Sequence, residues 1–300
     1  GNPSKAQEST QQAINDGAKI IIGPLRAESA TAAAQTASGR GVNVLAFSNN
    51  AAIAGGNLFV LGQTFDSTAT RLVDYAVGQG RDRILTVFAN NDTGRVGKVA
   101  IDRAIATNGA VSAGSVSYEF SQEAVINAVP DIRSSAETNQ ANAIFFTANT
   151  AGALPLFTQM LPESGLDTET TQYIGLSRWD TPPQTLELPG VQGGWFALPD
   201  PQRNSQFRAR YEAAYGNPPH ALAGLAYDGI AAVGALASSG KSDALTRSSL
   251  IQPAGFQGVN GVFRFMPDGT NQRALAVATV ENKEVVVISP APTSFGSAGF

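Results

Sequence analysis

The residues able to do chemistry are few. His220 is the single histidine, and there is no cysteine. Thiol nucleophiles, disulfides and Cys/His zinc sites are therefore excluded, and any imidazole-based triad would have to run through one residue. His220 follows Pro218-Pro219 and precedes a helical stretch, where it reads as a capping or surface residue. Ser238-Ser239-Gly240-Lys241 has the bare Ser-x-x-Lys spacing of serine acyl-enzymes. Its serine closes an alanine-rich helix instead of opening one, and no companion motif accompanies it, so the spacing is coincidental. No phosphate loop, dinucleotide fingerprint, nucleophile elbow or paired-carboxylate motif occurs. What remains is binding chemistry by amides, hydroxyls and arginine. It is concentrated in five polar segments: 23–29, 48–50, 90–94, 147–150 and 177–180. Tyr227-Asp228 adds a pair that either faces a ligand or is a packed tyrosine beside a solvated acid.

Each of the five segments follows a short apolar run, and 23–29, 90–94 and 147–150 precede a helical one. Residues 18–24, 42–47, 58–61, 83–88, 111–118, 143–147 and 172–176 read as strands, rich in β-branched and aromatic residues. Between them, helices are expected over 3–16, 30–38, 66–77, 96–106, 122–136 and 151–163. Asn2-Pro3 starts the first and Ser29 is expected to cap the second. Strict alternation of this kind makes a mostly parallel sheet with helices on both faces. In such sheets ligands sit at strand carboxyl ends, where these five loops fall. The competing reading is that the loops are polar because they are solvated and rich in turn formers. After Trp195-Phe196-Ala197-Leu198 the rhythm changes to helices over 205–215, 221–238 and 243–250. A β-rich tail follows, with hairpin turns at Met266-Pro267-Asp268-Gly269 and Glu281-Asn282-Lys283 and an irregular end over 290–300.

Composition agrees with a binding role. At 300 residues the chain is about twice the common domain size. Hydrophobic residues make up 43% and charged residues 15%, enough for a sizeable core. A net charge of −4 supplies no basic field for nucleic acid or an anionic membrane. No apolar run reaches the roughly 18 residues of a membrane span. No signal peptide opens the sequence, which fits a cytosolic protein or a mature exported one.

The stretch Asn2-Pro3-Ser4-Lys5-Ala6-Gln7 through Ala18-Lys19-Ile20-Ile21-Ile22-Gly23-Pro24 resembles the type I periplasmic solute-binding proteins, whose familiar members are the Leu/Ile/Val receptors of ABC transporters. The resemblance continues through Gly41-Val42-Asn43-Val44-Leu45-Ala46-Phe47-Ser48 and Gly62-Gln63-Thr64-Phe65 and covers essentially the whole chain. A narrower similarity, to the lipoprotein activators of penicillin-binding proteins, is carried by Asn91-Asp92-Thr93-Gly94-Arg95-Val96-Gly97, Ser177-Arg178 and Ile288-Ser289-Pro290-Ala291-Pro292. The resemblance implies an α/β fold of two Rossmann-like, doubly wound lobes joined by three crossings around a ligand cleft. Lobe 1 would hold 1–63 and 200–258, and lobe 2 would hold 64–199 and 259–300. It implies a non-catalytic periplasmic receptor for a small polar or anionic ligand, possessing neither metal nor cofactor and partnered by a transporter permease. The alternative is an envelope regulator that binds a penicillin-binding protein, its cleft vestigial. Exported location is implied in both cases, with any lipid anchor lying ahead of Gly1.

Two departures from the family pattern matter. The first hydroxyl position falls near Ala27 and the ligand-reading acid position near Ser177-Arg178, so the ammonium of an amino acid would lack its counter-charge. The family also opens with one more βαβ unit, roughly 30 residues. Its absence leaves strand edges that something is expected to cover. The expected ligand contacts are Arg26, Ser48, Asn49, Asn50, Asn149, Thr150, Ser177, Arg178 and Tyr227. Arg178 would favour an anionic group and Tyr227 would form an apolar wall.

Overall fold

Asn2 starts the first helix as its residue type requires. Its Oδ1 accepts from the N–H groups of Ser4 and Lys5 at 2.9 and 3.3 Å, ahead of α1 (Pro3–Asn15). In this computed structural model, which describes residues 1–295, the run of three isoleucines forms β1 (Ile20–Ile22). There follow α2 (Ala27–Ser38), β2 (Asn43–Ala46), β3 (Leu58–Val60), α3 (Phe65–Gly78), β4 (Arg83–Ala89), α4 (Asp92–Thr107), β5 (Val111–Tyr118), α5 (Gln122–Thr138), β6 (Ala143–Phe146), α6 (Leu154–Glu163), β7 (Gln172–Gly175) and β8 (Trp195–Leu198). The remainder is α7 (Pro201–Tyr215), α8 (Ala223–Ala237), a short α9 (Arg247–Leu250), β9 (Phe256–Gly258), β10 (Gly261–Phe265), β11 (Asn271–Arg273), β12 (Ala276–Glu281) and β13 (Glu284–Ser289).

Helix starts differ most from expectation, and the caps explain why. Helix α4 begins four residues early because Asn91 accepts from the Gly94 N–H at 2.8 Å. Helix α7 likewise begins at Pro201, where Asp200 accepts from Gln202 and Arg203. Ser29 does not cap α2; it lies inside the first turn, and Arg26 holds the cap position without a side-chain bond. Of the irregular end expected over 290–300, residues 296–300 lie outside the described residues.

The chain divides into two units. The first holds Gly1–Thr64, Pro199–Ala274 and, among the described residues, 291–295; the second holds Phe65–Leu198 and Leu275–Pro290. Residues 259–274, expected in the second lobe, therefore belong to the first. The reason is pairing: β10 lies between β9 and β11 in an antiparallel sheet, and Asn271 donates to the carbonyls of Val60 and Gly62 at 2.8 Å. Residues 291–295 return to the first unit as well, where Phe295 packs on Val262 and Ala274 and lies under the Arg264 guanidinium. That return makes one more passage between units than expected.

In the first unit β1, β2 and β3 form a parallel sheet in that order. Alanines of α2 cover one face and α8 with α9 the other. The outer edge of β1 carries no strand among the described residues. The second unit is built on a sheet of order β13-β12-β8-β7-β6-β4-β5, parallel from β8 to β5 and finished by antiparallel β12 and β13. Its centre is buried on both faces, so β6 reads Ala-Ile-Phe-Phe without alternation. Phe145 packs with the inner residues of α3 and α4, while Phe146 meets Phe157 of α6 and Tyr173 of β7. Asn282 and Lys283 both take positive φ, the type I′ geometry of the expected β12–β13 hairpin.

This packing has a consequence in alkali. Burial pushes the Tyr118 phenol up to about 12, and burial with the nearby Asp167 carboxylate raises Tyr173 as well. An unfolded tyrosine ionises near about 10. Both neutral phenols thus favour the folded state fully below that pH, and their contribution is lost as pH rises from there through 12. These two phenols are expected to ionise together with loss of circular dichroism. Ionisation of both in the folded protein near pH 10 would contradict the packing.

Candidate functional site

The site residues are positioned where strands hand over to helices, and each unit presents its own set. In the first unit, the turn after β1 is tied to the turn after β2: Phe47 N–H donates to the Pro24 carbonyl at 2.9 Å, and Gly23 N–H to Leu45 at 2.8 Å. Arg26 stands at the start of α2, where a Cβ on Gly1 would touch its side chain. The N–H groups of Ala27, Glu28 and Ser29 have no intrahelical acceptor, as at any helix start. The Ser29 hydroxyl is buried and has no hydrogen-bond partner among the described residues. Ser48 is buried and accepts from the Asn50 N–H at 3.1 Å; Asn50 in turn accepts from Ala52 at 3.0 Å. The Asn49 side chain is exposed and makes no intramolecular hydrogen bond among the described residues. Tyr227 lies on the side of α8 away from the sheet, half-exposed and edge-on to Phe207 of α7, with centroids 5.6 Å apart.

In the second unit three adjacent strands, β7, β6 and β4, end in loops that bond to one another. Thr147 Oγ1 accepts from the Ala89 N–H at 3.2 Å, joining the loops after β6 and β4. Ser177 donates to the Ala148 carbonyl at 3.2 Å, and Thr150 to the Thr181 carbonyl at 2.7 Å, joining those after β6 and β7. The structure thus brings Asn149, Thr150, Ser177 and Arg178 into one cluster. Gly94, in the first turn of α4, admits no side chain here: a Cβ would stand 2.0 Å from the Ala89 carbonyl oxygen. The segment 90–94 is internally satisfied, with Asn90 bridging Glu119 and Arg95 and Asp92 pairing Arg95 at 2.7 Å.

Arg178 is not a free cation. Its Nε donates to Asp180 Oδ1 at 2.8 Å and its Nη2 to Oδ2, which leaves Nη1 open. The Asp180 carboxylate is in turn occupied by the arginine. Beside Asn149, at the carboxyl ends of β5 and β6, a cavity of about 410 Å³ is lined by Phe120, Val125, Ala151, Ala153 and Leu156, with Ser121 and Gln122 at its polar side. Gly152 connects the two features, since a Cβ there would touch both Asn149 Oδ1 and the Phe120 ring.

The family model described as periplasmic binding protein matches residues 1–284. The chain belongs to the periplasmic binding protein family. None of the curated proteins matches it in sequence. Among solved structures it is similar to a Rhodospirillum rubrum protein described as a branched-chain amino acid ABC transporter, with 18% identity and a TM-score of 0.79 over 96% of this chain and 85% of that one. A Desulfitobacterium hafniense ABC transporter substrate-binding protein in complex with Leu matches at 18% identity and 0.68, covering 96% and 85%. A Rhodopseudomonas palustris solute-binding protein in complex with 3,4-dihydroxybenzoic acid matches at 18% and 0.62, covering 98% and 84%.

In this periplasmic binding protein, Asp180 is the main site residue that sequence reading passed over. The signal was there, an Arg-x-Asp spacing in a loop, but two residues apart can pair only in a turn. Phe120 is another: it follows a strand as the other loops do, yet it is apolar and 69% exposed. His220 accepts from the Leu222 N–H through Nδ1, and Ser238 ends α8 with its hydroxyl on the Ala235 carbonyl, so neither enters a site. Among the described residues no group of three His, Asp or Glu side chains could hold a metal, and no helix is long and apolar enough to cross a membrane.

Proposed function

We propose that this protein is the periplasmic receptor of an ABC-type transporter, binding without transforming a small organic acid and passing it to a permease. The observation that carries the ligand class is the loop cluster of the second unit. It offers an open guanidinium nitrogen on Arg178, the hydroxyls of Thr150 and Ser177, the Asn149 amide, and an apolar cavity next to that amide. Leucine and 3,4-dihydroxybenzoic acid, held by two of the similar proteins, share a carboxylate on an apolar body. An ammonium group would need a carboxylate acceptor, and Asp180 and Glu119 already have partners. The reading therefore favours a carboxylate without an ammonium group, such as an aromatic acid, over an amino acid.

The test is a thermal shift against benzoate, 3,4-dihydroxybenzoate and leucine. A ligand at about one hundred times its Kd adds about 2.7 kcal/mol, a rise of several degrees. The aromatic acids are expected to stabilise, leucine is not, and Arg178→Ala should abolish the shift. Stabilisation by leucine alone, or full stabilisation of Arg178→Ala by the aromatic acids, would sink the reading.

A further inference from the structure

Proline shapes the far half of α6. Pro162 stands four residues after Thr158 and has no N–H, so the Thr158 carbonyl lacks its helical donor. Gly190, in the 3₁₀ turn Pro189–Val191, closes onto that carbonyl: a Cβ there would stand 1.7 Å from its oxygen. Helix and turn thus meet on a backbone contact that only glycine permits. Beside that contact, α6, the turn and the loop after α6 line a cavity of about 620 Å³. Its walls are apolar, made by Pro155, Leu156, Pro162, Leu188 and Pro189. It shares only Leu156 with the cavity beside Asn149, and Arg178 does not line it.

The charged groups that line this cavity are both carboxylates, Glu163 and Asp167, and among the described residues neither pairs with an arginine or lysine. Glu163 is exposed and is reached by the Gln159 amide at 3.5 Å. Asp167 turns its Oδ1 to its own loop, accepting from the N–H groups of Glu169 and Thr170 at 3.0 Å and from the Thr170 hydroxyl at 3.1 Å, which leaves Oδ2 open. The N–H and hydroxyl of Thr170 hold this carboxyl below the usual carboxylate range, so it stays charged. The Thr158 hydroxyl is turned back to the Leu154 carbonyl at 2.9 Å and gives the cavity no donor. We propose that this cavity is a second binding site, for a small organic cation: an ammonium group on an apolar body. Two like charges without a counter-ion attract a cation. They are too few to hold a metal ion, which the proline and leucine walls would face with hydrocarbon. The volume lies in the range of small-molecule sites, roughly 300–1,000 Å³, and exceeds what one lysine or arginine side chain fills. The carboxylates would repel the organic acids proposed for the Arg178 cluster, so this inference does not rest on that reading.

Calorimetric titration with benzylammonium is expected to give a Kd of about 1 mM or tighter, and the neutral benzyl alcohol should bind at least about tenfold more weakly. Glu163→Gln/Asp167→Asn keeps the shape of both side chains and an acceptor oxygen for the Asp167 turn. It should weaken the ammonium about tenfold and leave the alcohol unchanged. Glu163→Gln alone, at an exposed helix end, should give part of that loss, and it decides the matter if the double variant fails to fold. Arg178→Ala should bind benzylammonium as the wild type does, so failure of the organic-acid reading would leave this one standing. No heat of binding up to about 10 mM, equal affinity for ammonium and alcohol, ammonium binding unmoved by the carboxylate changes, or its loss in Arg178→Ala overturns the proposal.

Discussion

Asp228→Ala is expected to cost about 3–5 kcal/mol, the range for removing one partner of a buried ion pair. The carboxylate is fully buried and holds three elements of the first unit around α8. Its Oδ2 accepts from Arg273 Nη1 at 2.8 Å and from Asn260 at 3.3 Å, and its Oδ1 accepts from the Val259 N–H at 2.8 Å. Arg273 in turn donates to the Leu61 carbonyl from Nε at 2.9 Å and from Nη2 at 2.5 Å, and lies over the Phe263 ring. One ion pair thus joins α8, the β9–β10 turn, β11 and the segment after β3. Removing the acid strands a guanidinium in the core and orphans the Val259 N–H. At roughly 2–4 °C per kcal/mol, the melting transition of the first unit should fall by about 10 °C. Asp228→Ala/Arg273→Met should cost clearly less than the sum of the single changes, because it leaves no uncompensated charge. Additive losses in that cycle would show that the pair is not coupled as its geometry requires.

That pair also marks where sequence reading stops. Alternation of short apolar runs with helical periods made the α/β layers legible, because the central parallel strands are buried on both faces and most helices on one. Asn2, the type I′ hairpin at Asn282 and the polar loops after β2, β4, β6 and β7 were legible for the same reason: local backbone geometry demands those residue types where they stand. Asp228 and Arg273 are 45 residues apart, and only the pairing of β9, β10 and β11 brings them together. The same pairing moved residues 259–274 from one unit to the other, since antiparallel strands can be read in a sequence but not their neighbours. In the candidate site the loops were visible and their internal partners were not. Arg178 reads as a free cation until the turn that folds Asp180 back onto it is seen, and of the two readings open for Tyr227-Asp228 the packed ring beside a solvated acid is reversed by the burial.

Trp179→Ala should be the most damaging single change in the second unit, at about 3–5 kcal/mol. The indole is fully buried directly between Arg178 and Asp180, stacked on Phe196 at 6.5 Å. It occupies a slot that exists because two neighbours lack side chains. A Cβ on Gly175 would stand 2.0 Å from its Nε1, and one on Gly194 1.9 Å from its Cζ3. Glycine at both positions is therefore the condition for a tryptophan between β7 and β8. Its Nε1 has no hydrogen-bond partner among the described residues, so packing holds the ring there. Removing the ring opens a cavity under the loop that carries Ser177, Arg178 and Asp180, and that loop, left with the hydrogen bonds that join it to the loop after β6, loses the packing that fixes its shape. Weaker ligand binding should accompany the loss of stability. Trp179→Phe separates the two effects: it removes the unpaired N–H, retains most of the volume, and should cost much less while preserving binding. Gly194→Ala should displace the ring and behave like a milder Trp179→Ala. A Trp179→Ala protein that melts within a degree of wild type would mean that the loop after β7 is held by its own hydrogen bonds, and that the ring merely fills the slot the glycines leave.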